Sequence, residues 1–149
     1  MKAKPALLIA RIFIGIVTFF NLQCAVVFLI SPARYASAFE ISGIPGSAFV
    51  SALGILFLMW NVPYLFALSH PVRYRISLIQ AVIMQTIGLI GETLLYRNIP
   101  LSHTVLRQST LRFIIFDGGG LLLLLAALWL VHRLPKDLPA ILHRGDDGT

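Results

Sequence analysis

Four long apolar runs, separated by short polar connections, decide what this chain can fold into. Residues 6–30, 48–68, 76–95 and 111–131 carry few charges, and each has about the length that crosses a hydrocarbon core, roughly 20 residues of helix. In lipid, backbone N–H and C=O groups have to be satisfied within a helix or a closed barrel. Runs of this length without polar–apolar alternation read as helices. The expected fold is therefore all-α, an integral membrane four-helix bundle. It forms one domain over residues 1–133, with a flexible cytoplasmic tail at 134–149 that is proline-interrupted and then acidic.

Charge decides between this reading and a soluble one. Only 12% of the residues are charged and 58% are hydrophobic, whereas soluble domains carry about 25% charged residues. The net charge of +6 comes from basic residues at segment ends, which fits topology and anionic lipid rather than nucleic acid. Lys2, Lys4, Arg73, Arg75, Arg133, Lys136 and Arg144 fall on one side of the expected topology. Arg34, Arg97 and Arg107 fall on the other, with Arg112 just inside the fourth span. The positive-inside rule then places the protein in the cell membrane, multi-pass, with both termini cytoplasmic. The N-terminus has the charged and apolar regions of a signal peptide, but the run continues through Ile30 with no small-residue cleavage site before it. It is expected to stay as the first span.

Between the spans, Ser31-Pro32 reads as a helix start, with a short interfacial helix over residues 32–39. The sequence SGIPGS at 42–47 is expected to break regular structure, and residues 96–110 read as a polar loop. Pro63 inside the second span removes a backbone donor, which predicts a kink and a freed carbonyl one turn earlier, at Met59.

Polar residues inside the runs are the candidates for function, because each is costly in lipid without a partner. In QAVIMQTIGLIGE, residues 80–92, Gln85 and Glu92 are seven apart and share a helix face with Gly88, while Gln80 is turned off it. Counting helical rise gives an outer layer of Asn21, Gln23, Glu92, Arg112 and Asp117. An inner layer holds Arg11, Trp60, Asn61 and Gln80, and Gln85 lies between the two. Arg112 or Asn21 and Gln23 are expected to satisfy Glu92, leaving Asp117 protonated or facing water. Trp60, Asn61, Gln85, Glu92 and Asp117 form the candidate ligand site, with Asn21, Gln23 and Arg112 as intramembrane pairing residues. The alternative for Trp60-Asn61 is a buried asparagine bonding the freed carbonyl, with an interfacial tryptophan and Tyr64 in the aromatic belt. The bland alternative is that all these groups only hold helices together.

Other chemistries find little support. Gly118-Gly119-Gly120 has no strand before it and no Lys-Ser/Thr after it, so it reads as close helix packing rather than a phosphate loop. Cys24 is the single cysteine, which excludes an intrachain disulfide. No two of His70, His103, His132 and His143 share a helix at ligand spacing, so no metal is assigned. No nucleophile–base pair is visible, so no catalytic residue is assigned. No cofactor is predicted, although a quinone suits an amide-lined apolar interior.

Residues 7–68 resemble the small four-helix DoxX-like membrane proteins. The resemblance rests on Arg11-Ile12-Phe13-Ile14-Gly15, on Phe39 with Gly43-Ile44-Pro45, and on Ala52-Leu53-Gly54-Ile55-Leu56. The acidic residue common early in that family's second span is absent here, where Ser51-Ala52-Leu53 stands. The resemblance implies a bacterial-type inner-membrane protein of a kind sometimes associated with quinone or thiol redox systems. Three functions follow in order: a non-catalytic accessory protein or subunit of a membrane complex, a binder of a lipophilic or quinone-like ligand, and a proton-linked carrier. The expected partners are the lipid bilayer and other membrane subunits or a second copy, with no nucleic acid.

Overall fold

The computed structural model describes residues 3–134; the tail expected beyond it lies outside the described residues. Four long helices, α1 (Ala3–Ile30), α3 (Gly43–Ser69), α4 (Arg75–Asn98) and α5 (Thr104–His132), form an up-and-down bundle. A short helix α2 (Pro32–Ala36) and a 3-10 turn (Ser37–Phe39) join α1 to α3. All four long helices are long and apolar enough to cross a membrane. Chain order is also spatial order: α1 packs on α3 and α5, and α4 packs on α5 and, less extensively, on α3. Short connections between long antiparallel helices produce this ring.

The helices extend further than the apolar runs. Gly43 and Pro45 lie inside the first turn of α3 rather than in a loop, because first-turn N–H groups have no intrahelical partner and a proline there loses nothing. The expected loop 96–110 shrinks to residues 99–103, since α4 runs to Asn98 and α5 begins at Thr104. Helix continuation into the polar boundary keeps backbone groups paired where apolar patterning has already stopped.

Two apolar cores stack along the axis. At the end that carries Ala3 and His132, small side chains dominate: Ala10, Ala67, Ala81 and Ala127 pack with Ile14, Val17, Leu78 and Leu124. Small residues let helix backbones approach where there is no water to drive association. The far end is aromatic, with Phe28, Ala36 and Val50 buried among Phe39, Phe57 and Phe113. Gly54 marks a close α1–α3 approach, as a Cβ there would meet the Ala25 carbonyl at 3.1 Å and Leu29 at 3.0 Å.

Charged side chains close both ends. Arg11, expected in an inner polar layer, instead donates to the Ser69 carbonyl at the C-terminus of α3, where a cation complements the helix dipole. Arg107 does the same for α4, donating to Tyr96 O at 3.1 Å and Ile99 O at 2.6 Å while stacking on the Tyr96 ring. Glu40 has a left-handed backbone with φ 55°, which is costly for a residue with a Cβ. Its carboxylate binds His103 and accepts the Leu106 N–H at 3.1 Å, in the first turn of α5. The α2–α3 connection is thereby tied to the start of α5.

Glu40 predicts an acid sensitivity. The hydrogen bond with His103, then that from Leu106, hold its carboxyl below the usual 4.5. A depressed folded pKa contributes stability that is present above the unfolded value and lost as pH falls through the folded one. Thermal unfolding in detergent should therefore decline below about pH 4.5, and Glu40→Gln should flatten that decline while lowering the neutral-pH Tm.

Candidate functional site

Between the two cores lies a polar layer built by helical spacing. On α3, Phe57, Asn61 and Tyr64 follow the i, i+4, i+7 stripe, and on α4 Ala81, Gln85, Gly88 and Glu92 continue the same pattern. The Tyr64 hydroxyl donates to Gln85 Oε1 at 2.7 Å. Gln85 Nε2 in turn donates to Asp117 Oδ1 at 2.9 Å. One chain of hydrogen bonds thus joins α3, α4 and α5, with Tyr64 and Gln85 only 3% exposed. Tyr64 is accordingly an interior residue and not part of an interfacial belt.

Glycines make room for these groups reciprocally. A Cβ at Gly88 of α4 would collide with Asp117 Oδ2, and a Cβ at Gly120 of α5 would meet Gln85 Nε2 at 2.8 Å. Each helix accepts the other's polar side chain in a notch. Within the glycine triple only Gly120 serves this purpose, for a Cβ at Gly119 would have nothing within 4 Å and one at Gly118 only Leu89 at 3.8 Å.

A cavity of about 340 Å³ opens beside this chain. Asn21, Trp60, Asn61, Tyr64, Gln85, Glu92 and Asp117 all line it, together with Phe57, Gly88 and Ile87. The five residues read from the sequence as a ligand site therefore share one space. Trp60 and Ile87 are 49% and 63% exposed, so the cavity opens sideways between α3 and α4, the more loosely packed of the neighbouring pairs. At its far end it shares Leu53, Phe57, Glu92 and Leu95 with an apolar cavity of about 620 Å³ that runs to Phe39, Phe49 and Phe113. A third cavity, of about 280 Å³, lies on the α1–α5 side and holds Asn21, Gln23, Arg112 and Asp117.

That third cavity separates Arg112 and Gln23 from Glu92, whereas Asn21 also lines the cavity that holds Glu92. Arg112 faces α1, whereas Glu92 faces α3, and among the described residues the ion pair recorded is Glu40 with His103. The longer helices also place Glu92 and Arg112 well inside α4 and α5 rather than at their ends, with Arg112 eight residues into α5, or about 12 Å. Gln23 and Arg112 are exposed on the bundle's outside. Gln80 is exposed and Arg11 caps α3, so the expected inner layer does not form; Asn61 joins the same layer as Glu92.

Most polar side chains inside the helices satisfy themselves on the preceding turn. Thr18, Thr86 and Thr110 each donate to the carbonyl four residues back. Asn61 Nδ2 does so too, to Phe57 O at 2.7 Å and not to the carbonyl freed by Pro63. Its Oδ1, however, is buried with no partner among the described residues, and so is Glu92 Oε2. Buried polar atoms are normally paired, and these two border the same cavity.

Scans of protein-family models, curated proteins and solved structures found no match to this chain.

The glycine notches make a sharp comparison. Gly88→Ala should break the Gln85–Asp117 hydrogen bond and destabilise the bundle by about 1–3 kcal/mol. Gly119→Ala should change stability by less than about 1 kcal/mol. Unfolding in mixed micelles measures both.

Proposed function

We propose that this chain is a multi-pass membrane protein that holds a lipophilic ligand inside its helix bundle, with the ligand's polar end in the layer of Asn61, Gln85, Glu92 and Asp117. The observation that carries the reading is the pair of orphaned buried acceptors, Asn61 Oδ1 and Glu92 Oε2, on one cavity. An unsatisfied buried polar group costs about 1–3 kcal/mol, and a bound polar head offsets that cost. The volumes suit the purpose, since small-molecule sites run from about 300 to 1,000 Å³ and combine apolar walls with a few polar groups. The sideways mouth between Trp60 and Ile87 supports entry from the hydrocarbon phase rather than from water.

A purely accessory subunit gains nothing from such a cavity, so the ligand reading takes precedence over that one. A DoxX-like relationship and a place in a redox-linked membrane complex remain part of the proposal on the strength of the sequence motifs alone. So does an inner-membrane location with both termini cytoplasmic. It is supported by Lys4, Arg73, Arg75 and Arg133 at one end of the bundle, against Arg34, Arg97 and Arg107 at the other.

Native mass spectrometry of protein extracted in mild detergent should show a retained lipophile. Asn61→Leu, which fills the site and removes the orphaned oxygen, should release it and raise the Tm of the empty protein. Wild-type protein free of lipophile, with no thermal shift from quinones, lipids or hydrophobic amines, contradicts the reading.

A further inference from the structure

The sign of the charge around the cavity narrows the ligand class, given the ligand reading above. Two carboxylates, Glu92 and Asp117, line it, and among the described residues no lysine, arginine or histidine does. Arg112 borders the neighbouring cavity beside Asp117, yet it makes an ion pair with neither acid. Arg11 is engaged at the Ser69 carbonyl and Arg107 at the carbonyls of Tyr96 and Ile99. Among the described residues, therefore, no basic side chain forms an ion pair with either acid.

The hydrogen-bonding inventory points the same way. The buried donors of the layer are already used: Tyr64 on Gln85, Gln85 on Asp117 and Asn61 on Phe57. Among the described residues, the buried atoms of the cavity left unpaired are both acceptors: an amide oxygen, on a residue 1% exposed, and a carboxylate oxygen. A ligand that brings only carbonyl acceptors, as a quinone does, leaves both unsatisfied. One that brings positive charge, with or without N–H donors, complements both. Phe57, Trp60 and Tyr64 also line the space, and aromatic rings attract cations most strongly where water is excluded.

We infer that the cavity takes a lipophilic cation: an amine or onium head between Glu92 and Asn61, and an apolar body directed along the far-end cavity toward Phe113. A weakly hydrated, charge-delocalised head suits this site best, because it loses least on leaving water.

Tetraphenylphosphonium and tetraphenylborate share a shape and differ in charge, so they test the inference without any mutation. Full-length protein in phosphatidylcholine nanodiscs, corrected for binding to empty nanodiscs, should bind tetraphenylphosphonium saturably and tetraphenylborate not at all. Glu92→Gln and Asp117→Asn, each checked for wild-type elution, should each weaken the cation by about tenfold or more. Saturable binding of tetraphenylborate or of a decyl-substituted quinone in place of the cation overturns the charge assignment and leaves the ligand site standing. Cation binding that ignores both substitutions and Asn61→Leu places the cation elsewhere and also overturns it. Failure of all three probes to bind, with no lipophile retained on purification, removes both the inference and the ligand reading beneath it.

Discussion

The hydrogen-bonded chain from Tyr64 through Gln85 to Asp117 is the interaction on which the middle of this bundle depends. In an interior of low dielectric, each of those groups is costly alone and stabilising once paired. Three helices carry the three members, so the chain fixes their rotation and height relative to one another. Packing of alanines alone would leave both free to slide. Gly88 and Gly120 are the backbone counterpart, because neither Asp117 nor Gln85 reaches its partner across a Cβ.

That chain also explains why a cavity survives next to it. Drawing α4 and α5 together around Asp117 leaves α3 and α4 more loosely packed. Phe57 of α3 stacks on Phe113 of α5, with ring centroids 6.3 Å apart, and so braces the bundle across its diagonal at the level of the opening. Glu92 lies just beyond the glycine notch, past the reach of Gln85. The space is thus bounded on both α3 and α4 by a satisfied polar group, Tyr64 or Gln85, and an unsatisfied one, Asn61 or Glu92. A rigid wall beside an orphaned acceptor is the arrangement that binding sites require, since the cost of ordering the site is met before the ligand arrives.

The ends of the molecule obey different physics. There the task is to terminate helices, and single charged side chains do it: Arg11 on α3, Arg107 on α4 and Glu40 on α5. Glu40 also accepts a left-handed backbone to reach its partners. These contacts tie one connection to another without intruding on the bundle's middle, so the polar layer and the end clamps are separable in stability and in pH response.

Length and hydropathy by themselves determined that this chain makes four apolar helices in an all-α arrangement, because the bilayer permits little else for such runs. The seven-residue spacing of Gln85 and Glu92, with Gly88 between them, likewise put those three on one face, since helical periodicity is a local property. Partners were another matter. Arg112 looked available to Glu92 because both stood near expected boundaries, but polar residues 96–98 and 104–110 continue the helices, and rotation about α5 turns Arg112 toward α1. Tyr64 fits an interfacial belt or the interior equally well from sequence, because an aromatic with a hydroxyl suits either place; only its neighbours on α4 decide for the interior. Which glycine of the triple accepts a side chain depends on the crossing of α4 with α5, and no one-dimensional pattern encodes that. The sequence therefore determined which residues are costly to bury. Tertiary structure alone decided which of them are satisfied, and among the described residues it left Asn61 and Glu92 each with a buried oxygen facing no partner.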